Sequence, residues 1–348
     1  MSGQTASRGV RPKARRLLKA LGSGWMAAVL AAGAAAHAQT CDRACLAALA
    51  DQYLHSLVAH DAGRLPLARG ARYTENGQVL DLHDGLWGTA TELGKYRNEF
   101  EDPAADEIIV FTVLHERADL DLLATRLRVQ RGKISEIETI VSRPSGTLGS
   151  RGPQALEQRG EPDPLWAAEV PPRERMSRAE LLKVANQYFT GMENNDGRGV
   201  YPFADDCYRL ENGIQTTGNA SLKIGAASSA AGVNYASLGC KEQFQLGFLH
   251  VVSRIRDRRF LVVDPERGVA VAFGFFDHNA QLRSFKLTNG RTVPSGLNAP
   301  ITWELCEAFK IEHGLIRRVE AVLTQSPYGM KPNWSEAGLG YDPRRGPQ

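Results

Sequence analysis

Apolar residues recur at helical spacing in two segments of the chain. In the first, leucines and one tyrosine between residues 46 and 57 form a single face. In the second, Ser177 is predicted to cap the helix, with Glu180 three positions later as the other half of a capping box, and the apolar face covers residues 181–189. The pattern predicts one amphipathic helix in each half of the chain.

Alternating apolar and polar residues dominate the second half after its helix. Four such segments are separated by short turns rich in Gly and charged residues, which is typical of antiparallel hairpins. The predicted strands cover residues 248–263, 269–276, 302–311 and 315–324. A helix followed by a meander of long strands predicts an α+β fold, with helices packed on one face of a strongly bent antiparallel sheet.

The chain of 348 residues contains three short blocks that occur twice. The first two pairs are 135 and 136 residues apart, whereas the third pair is 182 residues apart, so the second copy carries about 46 extra residues in its middle. The pairs are Ala50-Asp51-Gln52-Tyr53 with Ala185-Asn186-Gln187-Tyr188, Glu75-Asn76-Gly77 with Glu211-Asn212-Gly213, and residues 132–138 with residues 314–320.

This duplication predicts two tandem domains of similar fold. The predicted boundaries are a signal peptide at 1–38, a first domain at 39–143, a Pro-rich linker at 144–175, a second domain with its insertion at 176–326, and a tail at 327–348. About 310 residues remain after the signal peptide, which is enough for two ordinary cores.

The N-terminal segment has the order expected of a secretory signal peptide. Six basic residues and no acidic residue come before an Ala-rich apolar stretch, which ends in the small-residue site Ala36-His37-Ala38. A membrane anchor is the alternative, although glycines interrupt the apolar stretch and it is short for a membrane span. We therefore expect a periplasmic or secreted protein with no membrane attachment after cleavage.

Removal of the signal peptide changes the inference from charge. The whole chain has a net charge of +3, and loss of six cations leaves −3, so its basic character does not indicate nucleic-acid binding. All five cysteines remain in a compartment where disulfides persist. Cys41 and Cys45 are close enough to bridge, Cys207 and Cys240 are positioned to tie down the insertion, and Cys306 is predicted to be a buried thiol. A metal site is the less favoured alternative.

A helix with an Asn-Asp-Gly end, a Glu-Asn-Gly strand and the final hairpin at 309–320 resemble the nuclear-transport-factor-2-like (SnoaL-like, cystatin-like α+β cone) superfamily. More closely, the chain resembles an exported tandem-repeat family of that superfamily whose function is not established. The segments that carry this closer resemblance are residues 72–77, 209–213, 254–260 and 275–278. The resemblance covers both copies.

The resemblance implies a cone-shaped pocket enclosed by each bent sheet and its helix. Members of the superfamily include isomerases, dehydratases, cyclases, epoxide hydrolases and binding modules without activity, so the fold alone does not assign a reaction. The enzymes among them usually catalyse reactions of apolar substrates by general acid–base catalysis without a cofactor. Related single domains often dimerise through their sheets, so two fused copies imply an intramolecular pseudo-dimer.

The strand at residues 254–259 carries the densest charge in the second copy. Strict alternation would place Arg254, Arg256 and Arg258 on one face and Asp257 with Arg259 on the other. Asp257 is then a candidate base, and Arg256 or Arg259 is a candidate for stabilising an oxyanion. A solvated edge strand that neutralises its own charge is the structural alternative.

Two histidines and a neighbouring aspartate are further candidates. Adjacent residues on a strand point to opposite faces, so Asp277 and His278 do not form a dyad. His278 is a candidate acid or base, and Asp277 is the second carboxylate that an epoxide-hydrolase variant would need. His250 has an aromatic, apolar context. A surface position for His278 and a core position for His250 are the alternatives.

The repeated Glu-Asn-Gly block and the aromatic residues complete the candidate set. Asn-Gly favours a tight turn, and the functional alternative places Glu211 and Asn212 at the mouth of the cone. Tyr188 and Trp303 are candidate substrate contacts, although large aromatic residues more often fill cores.

These observations favour a cofactor-independent lyase, dehydratase or isomerase that acts on a small apolar molecule, aromatic ones included, in the cone of the second domain. The alternative is a periplasmic binding or interaction module without catalysis. The sequence contains no phosphate-binding loop, nucleophile elbow or metal-ligand spacing, so we expect no cofactor, metal or nucleic-acid partner.

Overall fold

The computed structural model describes residues 41–144, 151–223 and 230–334. The predicted signal peptide lies outside these residues. Within the described ranges, every helix is too short or too polar to cross a membrane.

Two long helices each introduce one of the domains, as the hydrophobic spacing predicts. Ser177 caps the second of them in a complete capping box with Glu180. The helices described are α1 (Arg43–Val58), α2 (Leu86–Thr89), α3 (Gly152–Arg159), α4 (Arg178–Glu193) and α5 (Cys240–Leu246), with 3₁₀ turns at Ala62–Arg64, Pro164–Trp166, Tyr235–Ser237 and Phe248–Val251.

The first domain contains a six-stranded sheet in the order β2-β1-β6-β5-β4-β3. Strands β1 and β6 run parallel, and the other neighbours are antiparallel. The strands are β1 (Leu67–Glu75), β2 (Gln78–Leu80), β3 (Ala90–Asp102), β4 (Glu107–Glu116), β5 (Asp119–Gln130) and β6 (Lys133–Ser142).

The second domain repeats this topology, with the sheet order β8-β7-β14-β13-β10-β9. Strands β11 and β12 form a separate two-stranded ribbon. The strands are β7 (Phe203–Glu211), β8 (Ile214–Gln215), β9 (Arg254–Asp264), β10 (Val269–His278), β11 (Ser284–Lys286), β12 (Thr292–Pro294), β13 (Ile301–Glu312) and β14 (Leu315–Ser326). The predicted α+β class with two cone-like domains is confirmed.

Each sheet buries both of its faces. One face packs on the domain's own helix, α1 in the first domain and α4 in the second. The opposite faces meet in a third core, which includes Phe111 and Ile140 from the first sheet and Phe273 and Val322 from the second. Trp166, from the segment between the domains, joins this core and contacts the Phe100 ring edge-on at 5.3 Å.

The extra length of the second copy is divided between two segments. One connects β8 to β9 and is described at residues 216–223 and 230–253, and the other connects β10 to β13 (residues 279–300). They share a small apolar core that includes Tyr235 and Phe285, and we call these two segments the cap. The expected strand start at residue 248 is wrong, because Phe248–Val251 forms a 3₁₀ turn in the cap and β9 begins at Arg254.

Both predicted disulfides are present. Cys41 is bonded to Cys45 at the start of α1, and Cys207 on β7 is bonded to Cys240 at the start of α5, which ties the cap to the sheet. Cys306 is a buried free thiol, as predicted.

The repeated Asn-Gly dipeptides form equivalent turns. Asn76 and Asn212 have positive φ angles of 45° and 47°. The Asn212 amide donates to the Leu323 carbonyl at 2.9 Å and accepts from the Leu323 N–H at 2.8 Å. Asn76 makes the same two bonds with Val141, at 3.3 and 2.7 Å. The turns therefore hold the last strand of each sheet through an amide side chain.

Candidate functional site

A β-bulge at Asp257 changes the faces of the charged strand. Asp257 has a φ of 52°, and the register shifts between the pairs Arg259–Phe273 and Arg256–Phe275. Because Phe273 and Phe275 lie on one face of β10, Arg256 and Arg259 also share a face. The strict alternation predicted for this strand is therefore wrong.

The shared face of Arg256 and Arg259 is the one between the two sheets. Arg259 donates two hydrogen bonds to Glu138 of the first domain, one of them 3.0 Å long. Arg256 donates to Asp277 at 2.9 Å and to Asp257 at 2.6 Å. The guanidinium groups of these arginines also lie over the rings of Phe275 and Phe273. This arrangement gives Asp257, Arg256, Arg259 and Asp277 structural partners at the contact between the sheets.

Two other candidate residues also lie outside the cavity described below. Asn212 is buried in its turn, where its amide is fully used on Leu323. His250 is an exposed residue of the cap, and its ring lies 5.7 Å from that of Phe285. The structure does not bring either residue together with the other candidates.

The cone of the second domain encloses a cavity of about 150 Å³. Its walls come from α4, the inner face of the sheet and the cap, and they are mostly apolar. Four of the residues singled out from the sequence line this cavity: Tyr188, Glu211, His278 and Trp303. A space of this size accommodates about one six-membered ring.

Glu307 is the central polar residue of the cavity, and the sequence analysis missed it. It lies on β13 between Leu305 and Phe309, on the face that packs towards α4. Tyr188 donates a hydrogen bond to its Oε1 at 2.8 Å. Burial raises the pKa of the Glu307 carboxyl to about 8, so the group is mostly protonated at neutral pH.

Arg209 and Glu211, on the same face of β7, form an ion pair beside Glu307. Their charged atoms are 3.0 Å apart, and an Arg209 amino group also lies 3.5 Å from the Tyr188 hydroxyl. Burial opposes the charge on Arg209, but the fields of Tyr188 and Glu211 outweigh it, and the pKa of Arg209 is raised. Glu211 is the more accessible partner, with 20% of its side chain exposed.

His278 lies in the wall of the cavity next to Trp303, with ring centroids 4.8 Å apart. Its Nδ1 is 3.1 Å from the Phe276 carbonyl oxygen, which can only accept, so this nitrogen carries the proton and Nε2 is an acceptor. Burial lowers the pKa of His278 to about 4, so the imidazole is neutral at neutral pH.

Four buried polar atoms of residues that line the cavity have no hydrogen-bond partner among the residues described. Such atoms are costly to bury without a partner, which a ligand is able to supply. They are Arg209 Nε, Thr216 Oγ1, Tyr235 Oη and Glu307 Oε2. All four atoms belong to residues that line the chamber, whose walls are otherwise mostly apolar.

The first domain has different residues at the equivalent positions. Thr139 and Ala321 are matching residues, since each directly follows the third repeated block. Thr125 pairs with Thr139 across the sheet as Glu307 pairs with Ala321, so Thr125 occupies the place of Glu307. By the same register Tyr73 stands where Arg209 does. Trp87 is buried in this core with its ring edge-on to Tyr53 at 5.6 Å. The acid and the arginine therefore belong to the second domain.

One signal in the sequence would have identified Glu307. Along β13, residues 305, 307, 309 and 311 share one side, and Glu307 is the charged member of an otherwise apolar set. A lone carboxylate on the core side of a strand is unusual, because burial of a charge without a partner is costly.

The fold and the site define an α+β protein of two cone-like domains, of which the second contains a mostly apolar cavity with a few buried polar groups. A family model described as a domain of unknown function (DUF8021) matches residues 174–323, which cover that second domain. Among solved structures, AclR from Streptomyces galilaeus is similar, with 13% identity and a TM-score of 0.26 over 42% of this chain and 91% of that chain. No curated protein matches this chain.

Proposed function

We propose that the second domain binds a small apolar molecule with one polar group and acts on it by acid–base chemistry without a cofactor, as a lyase, dehydratase or isomerase. The observation that carries this proposal is Glu307, a buried carboxyl that keeps its proton at neutral pH and lines the cavity. Buried acids with raised pKa values are suited to proton donation.

In the dehydration that we propose, Glu307 gives its proton to a substrate hydroxyl. The carbon–oxygen bond breaks, water leaves, and a proton on the neighbouring carbon is taken by His278 Nε2 or by Glu211. Transfer of that proton back through released water restores Glu307. An isomerisation uses the same groups to move one proton between two carbons.

Tyr188 and Arg209 act as positioning residues in this proposal. The Tyr188 hydroxyl holds Oε1 of Glu307 at 2.8 Å, which leaves Oε2 for the ligand. Arg209 lies close enough to stabilise the carboxylate that forms when Glu307 loses its proton.

A binding module without catalysis is the second candidate, and two observations favour it. The pKa of His278 is lowered to about 4, and Glu211 is engaged by Arg209, so neither group is a strong free base. The two candidates share the same cavity and differ in whether a bound ligand is converted.

We further propose that the chain is an exported member of a tandem nuclear-transport-factor-2-like family and that its domains form an intramolecular pseudo-dimer. The two disulfides fit an oxidising compartment. The shared core between the sheets supports the pseudo-dimer, in which the first domain is a scaffold.

A ligand screen by thermal shift tests the binding part of the proposal. Single-ring hydroxy and keto compounds should raise the melting temperature of the parent protein. They should have no effect on Ala321→Phe, which fills the cavity from β14. His250→Ala, outside the cavity, is the control and should respond like the parent. A response retained in Ala321→Phe would place binding elsewhere.

Turnover of the compounds that bind tests the catalytic part. Incubation in D₂O followed by mass spectrometry should detect loss of water or incorporation of deuterium with the parent protein. Glu307→Gln, which cannot donate the proton as an acid does, should lower the rate by at least about 100-fold. Binding without conversion in the parent would favour the module without catalysis.

A further inference from the structure

The charges of the cavity cancel within its own wall. Besides the neutral His278, the ionisable residues lining it are Arg209, Glu211 and Glu307, together with two tyrosines. Arg209 and Glu211 neutralise each other at 3.0 Å, and Glu307 is mostly protonated at neutral pH. The site therefore offers an anionic ligand no unpaired positive charge.

The unpartnered atoms favour a particular ligand group. Arg209 Nε can only donate, protonated Glu307 donates through Oε2, and the hydroxyls of Tyr235 and Thr216 are each able to donate as well. A set of donors in residues around an apolar chamber suits an oxygen acceptor such as a carbonyl or hydroxyl oxygen. A carboxylate would bring a charge that has to be desolvated without a counter-ion.

We infer that the cavity selects uncharged single-ring compounds with one acceptor oxygen over the corresponding carboxylates, and that Glu211 determines this selectivity by occupying Arg209. The inference rests on the proposed function, because it concerns the same cavity. Glu211 is thus a specificity residue, which excludes anions by removing the charge that would attract them.

Glu211 is partly exposed, so its role in selectivity can be tested by a substitution at this position. Arg209 is 2% exposed, whereas Glu211 has contact with solvent. Glu211→Gln keeps the size of the side chain and removes only the negative charge. Arg209 would then present an unpaired positive charge to the cavity.

The test compares benzaldehyde with benzoate, which share a ring and differ in charge, by isothermal titration calorimetry at pH 6.5. The parent protein should bind benzaldehyde at least about 10-fold more tightly than benzoate. In Glu211→Gln, the ratio of the affinity for benzoate to that for benzaldehyde should rise by about 10-fold. Asp205→Asn, at an exposed position of the same strand, is the control for loss of one negative charge and should behave like the parent.

Equal or tighter binding of benzoate to the parent would overturn the inference about selectivity. If Ala321→Phe then abolished binding of both compounds, the proposed binding site in the cavity would still stand. An unchanged preference in folded Glu211→Gln would overturn the role of Glu211. Failure of both compounds to bind the parent would overturn the proposed site and this inference with it. The parent comparison stands even if Glu211→Gln does not fold.

Discussion

The Arg259 guanidinium on β9 holds the Glu138 carboxylate on β6 of the other domain, and both side chains are buried. An equivalent hydrogen bond joins the sheets on the other side of the contact between the domains. Asn98 is the first-domain residue at the position of Arg259, because it pairs with Phe111 on the neighbouring strand as Arg259 pairs with Phe273. Its amide donates to Glu320 at 2.9 Å. Glu138 and Glu320 are the matching glutamates of the repeated block. The contact is therefore an approximate two-fold arrangement with different donors on its two sides.

Loss of the Arg259–Glu138 pair should destabilise the protein strongly. Arg259→Ala leaves a buried carboxylate with fewer partners, and we expect a loss of about 3–5 kcal/mol in the free energy of unfolding. Asn98→Ala, at the equivalent position, should cost about 1–3 kcal/mol because the donor it removes is neutral. Urea denaturation measures both. A cost below about 1 kcal/mol for Arg259→Ala would contradict a structural role for the pair.

The buried acid should make stability depend on pH in a defined direction. The folded-state pKa of Glu307 is about 8, above its unfolded value, so the contribution of this group is complete below about pH 4.5 and is lost as the pH rises to 8. Between pH 5.5 and 8.5, the parent should lose about 3 kcal/mol more stability than Glu307→Gln.

Glu304 provides an internal comparison for the same measurement. Burial raises its pKa to about 8 as well, but it lies outside the cavity. Glu304→Gln should reduce the pH dependence in the same direction without affecting ligand binding. Identical pH profiles for the parent and Glu307→Gln would show that Glu307 is ionised in the folded protein, against our account.

The turn asparagines should contribute to stability equally in the two domains. Asn212→Ala and Asn76→Ala each remove two hydrogen bonds to the last strand and place Ala at a positive φ. Each should cost about 2–3 kcal/mol. Denaturation curves and ligand affinity measured on the same samples distinguish the roles. If Asn212→Ala lowers affinity with little change in stability, Asn212 acts on the ligand instead.

The disulfide of the cap should affect both stability and binding. Cys207 and Cys240 are 33 residues apart, so their replacement by Ser should cost about 2–4 kcal/mol. Affinity for the ligand should fall too, because Tyr235 and Phe248 of the cap line the cavity. The matched control replaces Cys41 and Cys45, which close a much shorter loop. Equal effects on affinity for both pairs would indicate that the cap does not shape the site.

The sequence predicted the features that depend on local chemistry. The capping box at Ser177, both disulfides, the Asn-Gly turns and the α+β architecture follow from short-range rules of spacing. The faces of β9 could not be predicted, because one bulge at Asp257 reverses the alternation on which the assignment depended.

The candidate site was predicted only in part for a related reason. Tyr188, Glu211, His278 and Trp303 line the cavity, whereas the most charged strand faces the other sheet. The charged residues of β9 lie at the contact between the two domains. There an arginine pairs with a carboxylate that is far away in the sequence, as Arg259 does with Glu138. Glu307 lies on the otherwise apolar side of β13, and its raised pKa depends on how far the fold buries it.

The most direct test of our central claim is a crystal structure of the protein with benzaldehyde bound. We predict the ring inside the cone of the second domain, with its oxygen within about 3 Å of Glu307 Oε2. Benzaldehyde bound at another place, or bound in the cone with its oxygen turned away from Glu307, would contradict the account.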